Sequence, residues 1–120
     1  MSECEADPPV VRQATIDELA RLLGQEAMSQ LLAGLAQRLD ELQEVLRGTA
    51  PDPVSLRREA HALISQSGNL GFLQLSVASR GLCDTMREQV WSEEAAARLA
   101  EVRDAAERAR LELAQRVPAA

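Results

Sequence analysis

The sequence predicts an all-α protein, an antiparallel up-down-up-down four-helix bundle with an additional short N-terminal helix. Three observations carry that expectation. Hydrophobic residues make up 46% of the chain but aromatics only 2%, with no tyrosine, so the core has to be built from Leu, Ala, Val and Met. These are mostly strong helix formers, whereas the residues that fill sheets are scarce. Apolar positions recur at steps of three and four over long stretches, the period of one helix face. Glycines and prolines cut those stretches into segments joined by short connections, which favours antiparallel neighbours.

Residues 1–13 contain Pro8 and Pro9 among charges without periodicity, and read as a flexible lead-in to a single domain over residues 14–117. Thr15 with Glu18 three residues on forms a capping box, which starts a short helix carrying Ile16, Leu19, Leu22 and Leu23 on one side. Gly24 ends or kinks it. From Gln25 to Arg47, Met28, Leu31, Leu32, Leu35, Leu39, Leu42 and Leu46 mark a long amphipathic helix, with Gln37, Arg38, Asp40, Glu41 and Glu44 on a solvated face. Gly48–Pro53 joins a helix-ending glycine to two prolines and breaks the chain.

The next helix starts near Pro53, where proline suits the first turn, and runs toward Gly68. Gly68–Gly71 reads as a tight corner. A further helix then carries Leu75, Ala78, Leu82 and Met86 to about Gln89, with Gly81 inside it as a place for close packing. Ser92 caps a last helix over Glu93–Arg116, where Glu93 and Glu94 suit the positive end of the helix dipole. Ala95, Leu99, Val102, Ala106, Ala109 and Leu113 form its apolar face, and Pro118 lies beyond it.

Charge and composition exclude several functions. The formal net charge is −6 with no long basic run, which argues against a nucleic-acid or anionic membrane partner. The N-terminal stretch is acidic and lacks the apolar region of a secretory signal, and no apolar run approaches the roughly 20 residues of a membrane span. A cytoplasmic, stand-alone protein is expected. Cys4 and Cys83 are far apart and suggest free thiols in a reducing compartment. One histidine and two distant cysteines offer no metal site, and no pair of acids is spaced for general acid–base catalysis.

The remaining chemistry centres on His61. At 100° per residue Leu56, Ala60, Leu63, Ser67 and Leu70 share one side of their helix, and His61 lies roughly 140° from the centre of that side. The imidazole therefore faces outward. Arg57 and Arg58 lie one turn before it, Ile64 and Ser65 one turn after, and Gly68 two turns after.

The run Ala60-His61-Ala62-Leu63, followed by Leu70-Gly71 and then Leu75 and Leu82, resembles the histidine-containing phosphotransfer (HPt) domain of bacterial two-component phosphorelays. The resemblance covers residues 60–82 directly, and the helix count and order agree over nearly all the rest. It implies a four-helix bundle with an extra N-terminal helix, and His61 as a phosphoacceptor. The histidine would take a phosphoryl group from a receiver-domain aspartate and pass it to another response regulator. The expected partners are a response-regulator receiver domain and a hybrid histidine kinase. Such a phosphocarrier is not itself an enzyme and needs no cofactor, because the receiver supplies the acidic pocket and the metal; a monomer is expected.

Several positions depart from the family pattern. Ile64 stands where the family usually has lysine, Ser65 where it has glycine and Gln66 where it often has serine; Ser79 and Cys83 replace a cysteine and a glutamate on the following helix. With that lysine absent, Arg57, Arg58 and Ser65 become the candidates near the phosphoryl group. Arg57 and Arg58 would attract its charge, and Ser65 could donate a hydrogen bond to it. Ile64 and Gly68 are the candidates for docking a partner, one as an apolar contact and the other as bare surface. Two alternatives remain: a degenerate HPt-like adaptor that binds a receiver or kinase without phosphotransfer, and an unrelated bundle used for oligomerisation.

Overall fold

The computed structural model describes residues 8–47, 52–88 and 90–116. Several sequence expectations lie outside these residues: the start of the lead-in with Cys4, the Gly48–Pro51 part of the break, a helix end at Gln89, and Pro118. The described residues form five helices and no strand: α1 (Gln13–Leu23), α2 (Gln25–Val45), α3 (Pro53–Asn69), α4 (Leu73–Thr85) and α5 (Glu93–Arg116). Among them, no helix is long and apolar enough to cross a membrane.

The first helix does not start as its capping box suggests. It begins at Gln13 after Arg12, which supplies no side-chain cap, so Thr15 sits inside the first turn. The end is fixed from outside instead, because the Arg12 N–H donates to the Gly71 carbonyl at 2.8 Å. Gly71 has φ +86°, and a Cβ there would lie 2.9 Å from Thr15 Cβ and 3.0 Å from the Arg12 oxygen. Only glycine fits both the left-handed backbone and the space. Three residues earlier the chain is held in the same way, since the Gln74 N–H donates to the Pro9 carbonyl at 3.0 Å. The apolar side of α1 is also shorter than its sequence suggests: Ile16 is buried and Leu19 half-buried, but Leu22 and Leu23 are exposed because α1 packs only on α2 among the helices.

Gly24 both ends α1 and begins α2 at φ +94°, so one residue makes the whole turn. Along α2 the stripe Met28, Leu32, Leu35, Leu39 and Leu42 is buried as its spacing requires. Leu31 falls at the margin of that stripe and is 41% exposed, and the helix stops at Val45, two residues short of the expected end. Arg38 is not part of a solvated face. It is half-buried against α3, where its Nε donates to Gln66 Oε1 at 3.2 Å and its Nη1 to Glu59 Oε1 at 3.4 Å.

Asp52 caps α3, accepting from the Ser55 N–H at 3.1 Å and the Ser55 hydroxyl at 2.8 Å, with Pro53 in the first turn. Leu56, Ala60, Leu63 and Ser67 form its buried side. The Ser67 hydroxyl donates to the Leu63 carbonyl one turn back, which lets a polar side chain sit in the core. The chain then turns through Leu70 and Gly71 to Phe72, whose N–H returns to the Ser67 carbonyl at 2.9 Å and whose ring is the largest fully buried side chain.

The next helix, α4, is shorter than its periodicity suggests: it closes at Thr85, and Met86–Glu88 form a turn, although Met86 stays buried. Ser92 caps α5 as expected, its hydroxyl accepting from the Ala95 N–H at 3.1 Å. Six apolar residues of α5, from Ala95 to Leu113, are buried at the expected positions. Packed pairs are α1 with α2, α2 with α3 and α5, α3 with α4, and α4 with α5. Gly68 of α3 faces α4, where a Cβ would come to 3.0 Å from Ser76 Oγ. Gly81 makes no comparable demand, because a Cβ there would only reach ordinary contact with Arg98 at 3.6 Å.

Candidate functional site

His61 lies near the middle of α3 on its exposed side, opposite the buried row of Leu56, Ala60, Leu63 and Ser67. The helical period therefore places the imidazole where the sequence predicts. Together with Val54, Arg57 and Arg58 it lines a shallow open depression of about 310 Å³. The other three residues lie seven, four and three positions before the histidine, one strip along the helix surface. The depression thus lies on the N-terminal side of the histidine, over the turn that bears the two arginines.

Of the six candidate site residues, the structure brings three together: His61, Arg57 and Arg58. Ser65 is exposed one turn further on and does not line the depression. Ile64 is half-buried and packed against the core, and its carbonyl accepts the Ser76 hydroxyl at 2.8 Å. Gly68 is half-buried against Ser76 of α4. Val54, 41% exposed at the edge of the depression, is the residue that sequence reasoning passed over. Its spacing of seven from His61 was the available signal, since that interval returns to nearly the same azimuth.

The two arginines differ in their surroundings. Arg58 is exposed and contributes to the field at Asp52. The Asp52 carboxyl is held below its ordinary range first by the Ser55 hydroxyl, then by backbone N–H groups, and last by Arg58. Arg57 is half-buried, and its Nε is fully buried with no acceptor among the described residues. Among the described residues, no carboxylate lies within ion-pair distance of either guanidinium.

Chemically the site offers one accessible nitrogen nucleophile beside two permanent cations, an arrangement suited to a dianionic group bonded to the ring. Among the described residues, no group of three or more His, Cys, Asp and Glu side chains is placed to hold a metal ion. A larger hollow of about 370 Å³ between α2 and α5 contains Arg47, Arg103 and Arg110 over Leu39 and Leu42, but no nucleophile. On α4, Cys83 is buried, and the hydroxyl of Ser79 is buried without a partner among the described residues. Comparisons with known protein families, with characterised proteins and with solved structures return no match to the chain.

Proposed function

We propose that this chain is a histidine phosphotransfer protein of a two-component phosphorelay. His61 accepts a phosphoryl group from the aspartate of one receiver domain and passes it to another response regulator. The observation that carries the reading is the exposed His61 imidazole in a depression it shares with two arginines that have no carboxylate partner among the described residues.

The ring nitrogen that carries a lone pair attacks the phosphorus of the aspartyl phosphate. A nitrogen–phosphorus bond forms, the bond from phosphorus to the acyl oxygen breaks, and the aspartate leaves as a carboxylate. The other ring nitrogen keeps its proton. Transfer onward is the same displacement in reverse at a second receiver. The receiver supplies the acidic pocket and divalent metal, so this chain needs only an accessible nucleophile and cations to steady the charge in transit.

The supporting scaffold is an antiparallel four-helix bundle of α2 to α5 with α1 added at the N-terminal side. The pairing of α2 with α3 and α5, and of α4 with α3 and α5, supports it. The protein acts as a cytoplasmic monomer whose partners are a hybrid histidine kinase and a receiver domain. Incubation with a phosphorylated receiver tests the reading: acid-labile, base-stable phosphate on wild type and none on His61→Gln is expected.

A second reading, an adaptor that binds a receiver without turnover, draws on Ile64. That position supplies no cation on the C-terminal side of the histidine, and its side chain packs against the core. A receiver complex that forms without any label on His61 would favour it.

A further inference from the structure

On the phosphocarrier reading, the geometry points to Arg57 as the residue that grips the phosphoryl group on His61, through an Nε–H that has no acceptor until that group is present. A buried donor without a partner is costly, and in native proteins such groups call for an explanation. The Arg57 Nε is one of only two such side-chain atoms among the described residues. The other, Ser79 Oγ, is on a fully buried residue, whereas Arg57 lines the depression that contains the histidine.

Several arginines are ion-paired, among them Arg38 with Glu59 at 3.4 Å, Arg98 with Glu101 at 3.2 Å and Arg110 with Asp40 at 2.9 Å, and of those without an ion pair among the described residues Arg57 alone has a buried, unpartnered Nε. Arg57 has no such partner among the described residues. Its neighbour Arg58 is exposed and has no such buried donor. Placement also favours Arg57 over Ile64, because Arg57 lines the depression with His61 whereas Ile64 packs against the core.

In the free protein the Arg57 Nε is buried and has no acceptor among the described residues. Formation of phosphohistidine places a dianion one turn away, and a rotation of the side chain lets Nε–H and one Nη–H donate to two phosphoryl oxygens. The donor is satisfied in the phosphorylated state alone, so Arg57 stabilises that state relative to the free one. The cation that the family places after the histidine is here placed before it.

Phosphoramidate provides a test that needs no protein partner. Its phosphorus–nitrogen bond breaks, ammonia leaves, and the phosphoryl group bonds to the imidazole. The half-life of the resulting phosphohistidine at neutral pH is compared in wild type, Arg57→Gln, Arg57→Lys and Arg58→Gln. The expected result is a half-life about tenfold shorter in Arg57→Gln, the size of one lost charge-assisted hydrogen bond. Arg57→Lys recovers part of it, since lysine keeps the charge but not the fork, and Arg58→Gln has a smaller effect than Arg57→Gln. In wild type, the Arg57 Nε–H resonance shifts on phosphorylation, a readout that does not depend on how the variants fold. An unmoved resonance, or an Arg57→Gln lifetime equal to that of wild type, overturns the role of Arg57 while leaving the carrier reading intact. Absence of any label on wild-type His61 overturns the carrier reading and this inference with it.

Discussion

The Ser76 hydroxyl donates to the Ile64 carbonyl at 2.8 Å, tying α4 to the turn of α3 that follows His61. The same oxygen would lie 3.0 Å from a Cβ on Gly68, whereas Ser76 Cβ would lie at an ordinary 3.6 Å. The hydrogen bond and the bare glycine are thus two halves of one contact. Gly68→Ala should lower stability by about 1 kcal/mol through the displaced hydroxyl, and Ser76→Ala by a similar amount through the lost hydrogen bond. The double variant should be more stable than the sum of the two losses implies, because the clashing oxygen is gone. Urea denaturation of the four proteins measures the coupling; strictly additive losses would contradict this contact.

Two glycines with similar positive φ separate conformational cost from steric cost. Gly24 at φ +94° has nothing within 4 Å of a Cβ position, while Gly71 at φ +86° has Thr15 and Arg12 within about 3 Å. Gly24→Ala should cost about 1 kcal/mol from the left-handed backbone alone. Gly71→Ala should cost more, because α1 must also move from the corner to which Arg12 is bonded. Equal losses in a denaturation series would show that α1 yields freely.

The Ser79 hydroxyl is buried and has no partner among the described residues. Removing an unsatisfied buried group relieves its desolvation cost, and serine to alanine leaves little space behind. Ser79→Ala should therefore raise stability by about 1 kcal/mol, visible as a higher thermal midpoint. A loss of that size would mean the hydroxyl finds an acceptor in solution.

Acid should weaken the start of α3. The Asp52 carboxyl is held below its ordinary value near 3.8, first by the Ser55 hydroxyl. A depressed folded-state pKa means that Asp52 contributes stability above the unfolded value, and that this contribution disappears as pH falls through the lower folded one. Asp52→Ala should then be less stable than wild type at neutral pH, with the gap closing below pH 3.8. Urea midpoints across that range give the comparison, and a gap independent of pH would assign the cap to something other than its charge.

What the sequence made legible was periodicity. The buried rows of α2, α3 and α5, the outward position of His61 and the Ser92 cap all follow from spacing and residue type within one helix. What it concealed depends on distant segments. Thr15 loses its capping role because Gly71, far along the chain, fixes the start of α1. Arg38 leaves the solvated face for Glu59 and Gln66, and α4 stops at Thr85 although Met86 continues the apolar pattern. At the site, the azimuths of Arg57, Arg58, Ser65 and Gly68 were close to that of His61, but azimuth says nothing of lean or of neighbouring helices. The depression that His61 shares with the arginines, and the approach of Ser76 to Gly68, separate residues that a helical wheel groups together.

The central claim is that His61 carries a phosphoryl group between two receiver domains. Its most direct test is a two-step transfer in which a phosphorylated receiver is mixed with the protein, removed, and replaced by an unphosphorylated receiver. The label is mapped to a peptide at neutral pH after each step. The account predicts label on the α3 peptide containing His61 after the first step, its passage to the second receiver's aspartate after the second, and neither event in His61→Gln. Label that bypasses His61, or wild-type protein that binds phosphorylated receivers yet takes up no phosphate from any of them, would contradict it.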